Sequence, residues 1–163
     1  MDYFEIHGLK TLNGVIEVSG AKNAVLPLMA ASILNKGKLK ISNVPTLSDS
    51  ITMSKLLKKM GADVNFESDN SISVDSSKLD NPFAPYDLVK TMRASFYVLG
   101  PLLARFGNAK VSLPGGCAWG PRPVDFHLDG LKALGVKISI ENGYVIADGS
   151  NLNGNKIHFP KIS

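Results

Sequence analysis

At 163 residues, 44% of them apolar, the chain is long enough to bury a core, and no segment has the composition of a disordered region. Its net charge of +4 comes from basic residues spread along the sequence, which argues against a nucleic-acid-binding stripe and suits small anionic ligands. A single cysteine excludes an internal disulfide and fits a reducing compartment.

Asp2 and Glu5 stand where a secretion signal carries positive charge, and no apolar core with a cleavage site follows them. The apolar run from Ala24 to Leu34 contains Pro27 and Ser32 and is too short to span a bilayer. A soluble, cytoplasmic protein with no membrane partner is expected. Val15 to Ser19 reads as a strand leading into Ser19-Gly20-Ala21-Lys22-Asn23-Ala24, a strand-to-helix junction. An apolar helix follows from about Asn23 to Asn35, with Pro27 in or near its first turn, where proline is tolerated. It leads through Gly37 to a short strand, Leu39 to Ser42.

Next comes an amphipathic helix that ends at Gly61, a residue suited to a left-handed cap. A strand follows, and after a polar turn a second one, Ser71-Ile72-Ser73-Val74-Asp75, alternates apolar and polar residues. The whole unit then recurs. A long apolar helix from about Tyr86 to Phe106, kinked at Gly100-Pro101, passes through Gly107 to the strand Lys110 to Leu113. Leu131-Lys132-Ala133-Leu134-Gly135-Val136-Lys137-Ile138-Ser139-Ile140 then repeats the pattern of Leu57 to Phe66, and Tyr144 to Asp148 supplies the last strand. Both long helices are apolar on most faces and should be central. The expected fold is α/β, built of helix-strand-helix-strand-strand units packed around buried helices. Lys156 to Ser163 would open a third unit, and the abrupt stop at Ser163 reads as truncation.

Four places carry chemistry. Pro114-Gly115-Gly116-Cys117-Ala118-Trp119-Gly120-Pro121-Arg122-Pro123 reads as a hinged loop with a thiol near a guanidinium, or as a tight turn around a small buried residue. Lys22 and Asn23, at a helix amino terminus, suit an anion, or are a solvated first-turn lysine and a cap. Arg93, between Met92 and Ala94, reads as a buried guanidinium needing an anionic ligand or an acidic partner; Asp87 lies off its helical face. Pro123 fits the first turn of a helix carrying Asp125, Phe126 and His127, where Asp125 is either a ligand contact or a plain first-turn acid. Cys117 with His127 lacks any local signature of a thiol protease, no histidine pair has zinc spacing, and no dinucleotide fingerprint is present. Neither a cofactor nor a metal is called for.

The Cys117 loop, the Ser19 to Ala24 segment and Ala84-Pro85-Tyr86-Asp87-Leu88-Val89-Lys90-Thr91-Met92-Arg93-Ala94-Ser95 together resemble the UDP-N-acetylglucosamine enolpyruvyl transferase family, in order and from Met1 to Ser163. The resemblance implies an inside-out α/β barrel of repeated units. Residues 1–21 would pack with a carboxy-terminal domain missing here, and residues 22–163 would be an incomplete amino-terminal domain. It implies phosphoenolpyruvate and UDP-N-acetylglucosamine as partners, a role in peptidoglycan synthesis, and alkylation by fosfomycin. It assigns Cys117 as the catalytic acid, and Lys22, Asn23, Arg93 and Arg122 as substrate contacts. Pro123, Val124, Asp125 and Phe126, with Lys161, Ile162 and Ser163, would meet the nucleotide sugar. Trp119 departs from the smaller aliphatic residue expected there, and the family's aspartate base would lie in the missing part, so no turnover is expected from this chain alone. The related transferase of aromatic amino-acid synthesis is disfavoured by the cysteine loop. A non-catalytic UDP-sugar-binding fragment stays open.

Overall fold

The computed structural model describes residues 3–8, 11, 13–115 and 124–158. Within them the repeated unit is present twice. The first comprises α1 (Lys22–Ala31) with a 3-10 turn (Ser32–Leu34), β1 (Lys38–Ile41), α2 (Ser48–Lys59), β2 (Asp63–Phe66) and β3 (Ile72–Asp75). The second opens with a short strand, β4 (Phe83–Ala84), then α3 (Tyr86–Val89), a 3-10 helix (Arg93–Val98) and α4 (Leu99–Phe106). It continues through β5 (Asn108–Ser112), α5 (Asp125–Ala133), β6 (Lys137–Glu141) and β7 (Tyr144–Asp148). The last strand of each unit is central, giving sheets ordered β1-β3-β2 and β4-β5-β7-β6. Among the described strands only the β4–β5 pair is parallel. Val74 faces Leu39 and Val64 across the first sheet, and Ala147 faces Ala109 and Ile138 across the second.

The units match because their turn chemistry matches. Gly61 and Gly135 have φ of 102° and 90°, which a side chain would strain. In the first, the N–H of Gly61 donates to Lys58 O at 3.0 Å and that of Ala62 to Leu57 O at 3.0 Å. Gly135 and Val136 repeat the pattern on Lys132 O and Leu131 O at 2.9 and 3.1 Å, so both helices end in the same Schellman cap. Both units then close with an aspartate accepting the N–H two residues on, Asp75 from Ser77 and Asp148 from Ser150, each at 2.9 Å. One core spans both units, with Met29 and Ile33 near α1, Leu56 and Leu57 of α2, and Leu99 and Leu102 of α4 all sealed from solvent.

Several expectations need correction. The helix predicted over Tyr86 to Phe106 is three pieces, because Met92 is extended (φ −145°, ψ 110°) and breaks the ladder. Pro101 is the third residue of α4, which continues the 3-10 helix without a gap, so the change from 3-10 to α winding falls just before Gly100-Pro101. Pro27 is the sixth residue of α1 rather than a first-turn residue, so the carbonyl of Asn23 receives no bond from residue 27. Nor is α1 buried on most faces: Val25, Leu26, Met29 and Ala30 turn inward, while Leu28 is half exposed.

Residues 15–19 form no strand and their side chains stand in solvent, Val15 at 99% exposure. Residues 156–158 form no strand either, and the remainder of the predicted third unit lies outside the described residues. Arg105, on α4, is a guanidinium that the structure uses internally. It donates to Ile33 O and Asn35 O at 2.8 and 3.2 Å, and to Ser76 O and Leu79 O at 2.8 and 3.3 Å. Four carbonyls from two segments of the first unit are thereby tied to the second unit.

Candidate functional site

A cavity of about 440 Å³ opens where α1, α2, the 3-10 helix and α5 meet. Lys22 and Asn23 reach it from the first turn of α1, whose N-cap is Ala21. Asn23 is thus the second helical residue and not the cap. The junction before α1 is pinned: Gly20 donates its N–H to Asn43 Oδ1 at 3.1 Å, and a Cβ on Gly20 would overlap the Asn43 carbonyl oxygen. Asn43 takes φ of 53°, which asparagine tolerates.

Lys22 Nζ pairs with Asp49 Oδ2 at 3.1 Å, the two side chains being 50% and 29% exposed. Asp49 sits in the first turn of α2. Arg93 begins the 3-10 helix and is exposed on the cavity wall. The expected buried arginine is therefore not at this position, because the break at Met92 turns residue 93 outward. Asp87 pairs with Lys90 at 3.3 Å. From α5 the wall receives Val124, the N-cap, and His127, whose ring meets Phe96 edge-on with centroids 6.0 Å apart. Tyr97 completes the aromatic side.

The structure thus brings together Lys22, Asn23, Arg93 and Val124. Asp125 and Phe126 are exposed on α5, and neither lines the cavity among the described residues. Cys117, Arg122, Pro123, Lys161, Ile162 and Ser163, with Trp119, lie outside the described residues. Sequence reasoning missed Asp49 and Tyr97. The only signal for Asp49 was its place as a first-turn acid, common enough to carry no weight; Tyr97 lies four residues beyond Arg93. His127 drew notice only as a partner for Cys117.

Chemically, two cations and one carboxylate line the described wall, with the amino termini of α1 and α5 beside them. Both the helix dipoles and the net charge favour an anion. The apolar and aromatic side would pack a less polar group. Among the described residues no helix is long and apolar enough to cross a membrane.

The fold belongs to a known class: residues 6–163 match the EPSP synthase family (3-phosphoshikimate 1-carboxyvinyltransferase), and the chain is a member of it. The structure resembles that of the enolpyruvyl transferase NikO from Streptomyces tendae, with a TM-score of 0.75, 27% identity, and coverage of 91% of this chain and 32% of that one. Closer in sequence are proteins named UDP-N-acetylglucosamine 1-carboxyvinyltransferase. That of Dichelobacter nodosus is 54% identical over 94% of this chain and 37% of its own length. That of a Nitratiruptor species is 51% identical over 100% of this chain and 39% of its own. The chain therefore spans under two fifths of the length of these relatives.

Proposed function

We propose that this chain is part of an enolpyruvyl transferase that moves the enolpyruvyl group of phosphoenolpyruvate to the 3-hydroxyl of UDP-N-acetylglucosamine, releasing phosphate. The observation that carries the proposal is the convergence of Lys22, Asn23 and Arg93, from two separate segments, on one anion-suited cavity. Relatives at 51–54% identity bearing that enzyme's name support it over a shikimate substrate, as does the cysteine-bearing loop.

In this reading Lys22, Arg93 and Arg122 hold the phosphate and carboxylate of phosphoenolpyruvate. The Cys117 thiol delivers a proton to its methylene carbon, and the thiolate so formed can bond to the central carbon as a covalent adduct. The sugar oxygen adds to the central carbon as its own proton passes to a base, giving a tetrahedral adduct; phosphate then leaves that carbon as the new methyl group gives up a proton, which restores the enol double bond. That base would be an aspartate beyond the 163 residues. Asp125, Phe126, Lys161, Ile162 and Ser163 would serve the nucleotide sugar. The exposed apolar residues of the first twenty-one positions, Phe4, Ile6, Val15 and Val18 among them, would pack against a further domain, and the helices would complete an inside-out barrel. Peptidoglycan synthesis in the cytoplasm and sensitivity to fosfomycin belong to the same proposal.

Intact mass after fosfomycin treatment tests it, with and without UDP-N-acetylglucosamine and with Cys117→Ala as control. One adduct is expected, lost in the variant and formed faster with the nucleotide sugar. No adduct, or one indifferent to the sugar, would leave a non-catalytic UDP-sugar-binding fragment as the better description.

A further inference from the structure

Lys22 is placed against its own helix. It is the first residue of α1, where the unbonded N–H groups already make a cation unfavourable, and Arg93 lies on the same wall. What offsets this is Asp49, the only carboxylate lining the cavity among the described residues, with Oδ2 at 3.1 Å from the ammonium. The carboxylate is well sited for that task, because it stands at the amino end of the twelve-residue helix α2, which packs directly on α1. An anion entering between Lys22 and Arg93 would meet the same ammonium and would be repelled by the same carboxylate.

We infer that Asp49 is a further functional residue of this cavity: it competes with the incoming anion for Lys22, and so sets how much negative charge a ligand must bring to displace it. The inference rests on the anion reading of the cavity given above. It differs from a purely structural role for Asp49 as a first-turn acid of α2, since that role involves neither Lys22 nor a ligand. Both side chains are partly exposed, so the exchange needs only a change of lysine rotamer.

Rates of Lys22 acetylation by dilute acetic anhydride, read by peptide mass spectrometry, test it in the wild type, Asp49→Asn and Asp49→Glu. Each is run across a titration of phosphoenolpyruvate. Asp49→Asn should label Lys22 about threefold faster, and half-protection should come at about threefold less phosphoenolpyruvate. Asp49→Glu should restore both values, and labelling of Lys58 and Lys59 at the far end of α2 should not change. Equal labelling of Lys22 in wild type and Asp49→Asn overturns the inference. So does half-protection at the same or a higher concentration in Asp49→Asn, or faster labelling of Lys58 and Lys59 in step with Lys22. Failure to protect Lys22 in any of the three proteins overturns the anion reading and the competition with it, and an intact labelling contrast would identify that case.

Discussion

Replacing Gly20 with alanine should damage the site more than the fold. The added Cβ would overlap the Asn43 carbonyl oxygen, a backbone atom that cannot rotate away. Relief must come from the Gly20 side, and it is available. Residues 15–19 are exposed and bear no packing, so the chain can swing off Asn43 at the loss of the Gly20 N–H bond to Asn43 Oδ1. That bond is worth about 1 kcal/mol, and the core below α1 is untouched. Lys22 lies two residues on and would move with the junction. An ammonium about 4 Å from a phosphate interacts by about 1 kcal/mol per unit charge in a water-like medium, the appropriate limit for a side chain 50% exposed.

Displacing Lys22 should therefore cost about 1 kcal/mol of anion binding, roughly a fivefold loss in affinity, alongside about 1 kcal/mol of stability. Urea unfolding measures the second and isothermal titration with phosphoenolpyruvate the first. A stability loss above about 3 kcal/mol with unchanged affinity would refute the reasoning, because Gly20 would then anchor the core and not the site. Absence of binding in the wild type would refute the cavity reading itself.

Arg105→Ala should cost about 3 kcal/mol in urea unfolding, since each of the two 2.8 Å bonds from the guanidinium contributes at least about 1.5 kcal/mol; Arg105→Lys should recover about half, having no planar fork to span two segments, and a loss below about 1 kcal/mol for alanine would show the clasp to be ornamental. Asp69 should titrate low: the hydrogen bond from Lys40 and then that from Ser71 pull its carboxyl down to about 2. With the folded value depressed, its contribution is complete above about pH 4 and is lost as the pH falls through about 2, so Asp69→Asn should flatten that part of the stability profile, and a carboxyl NMR midpoint near 4 would contradict it.

The repeat was legible because it is written in residues whose roles are local. Gly61 and Gly135 announce their caps, Leu57 to Phe66 and Leu131 to Ile140 share one pattern, and the alternation in Ile72–Asp75 and Tyr144–Asp148 needs no tertiary information. Lys22 and Asn23 were legible for the same reason, standing at a strand-to-helix junction before an apolar run. What failed was non-local. The apolar residues of Tyr86 to Phe106 fit one helix by composition, yet Met92 is extended, and a core position is gained by breaking the ladder rather than continuing it. Asp49 is invisible as a cavity residue until α2 is laid on α1.

The two arginines show how far that goes. Apolar neighbours in sequence suggested that Arg93 was the buried guanidinium, but sequence neighbours do not bury a residue that begins its own turn. Arg105 draws on Ile33, Asn35, Ser76 and Leu79, whose side chains carry no charge and whose carbonyls lie 26 to 72 residues away. No pattern of acids could have pointed to it. Yet the clasp bears on the site. It fixes to α4 the 3-10 turn that follows α1, and so braces the far end of the helix that carries Lys22; α1 also packs on the 3-10 helix that Arg93 begins. One guanidinium is thus committed to backbone carbonyls, while Arg93 lines the cavity together with Lys22.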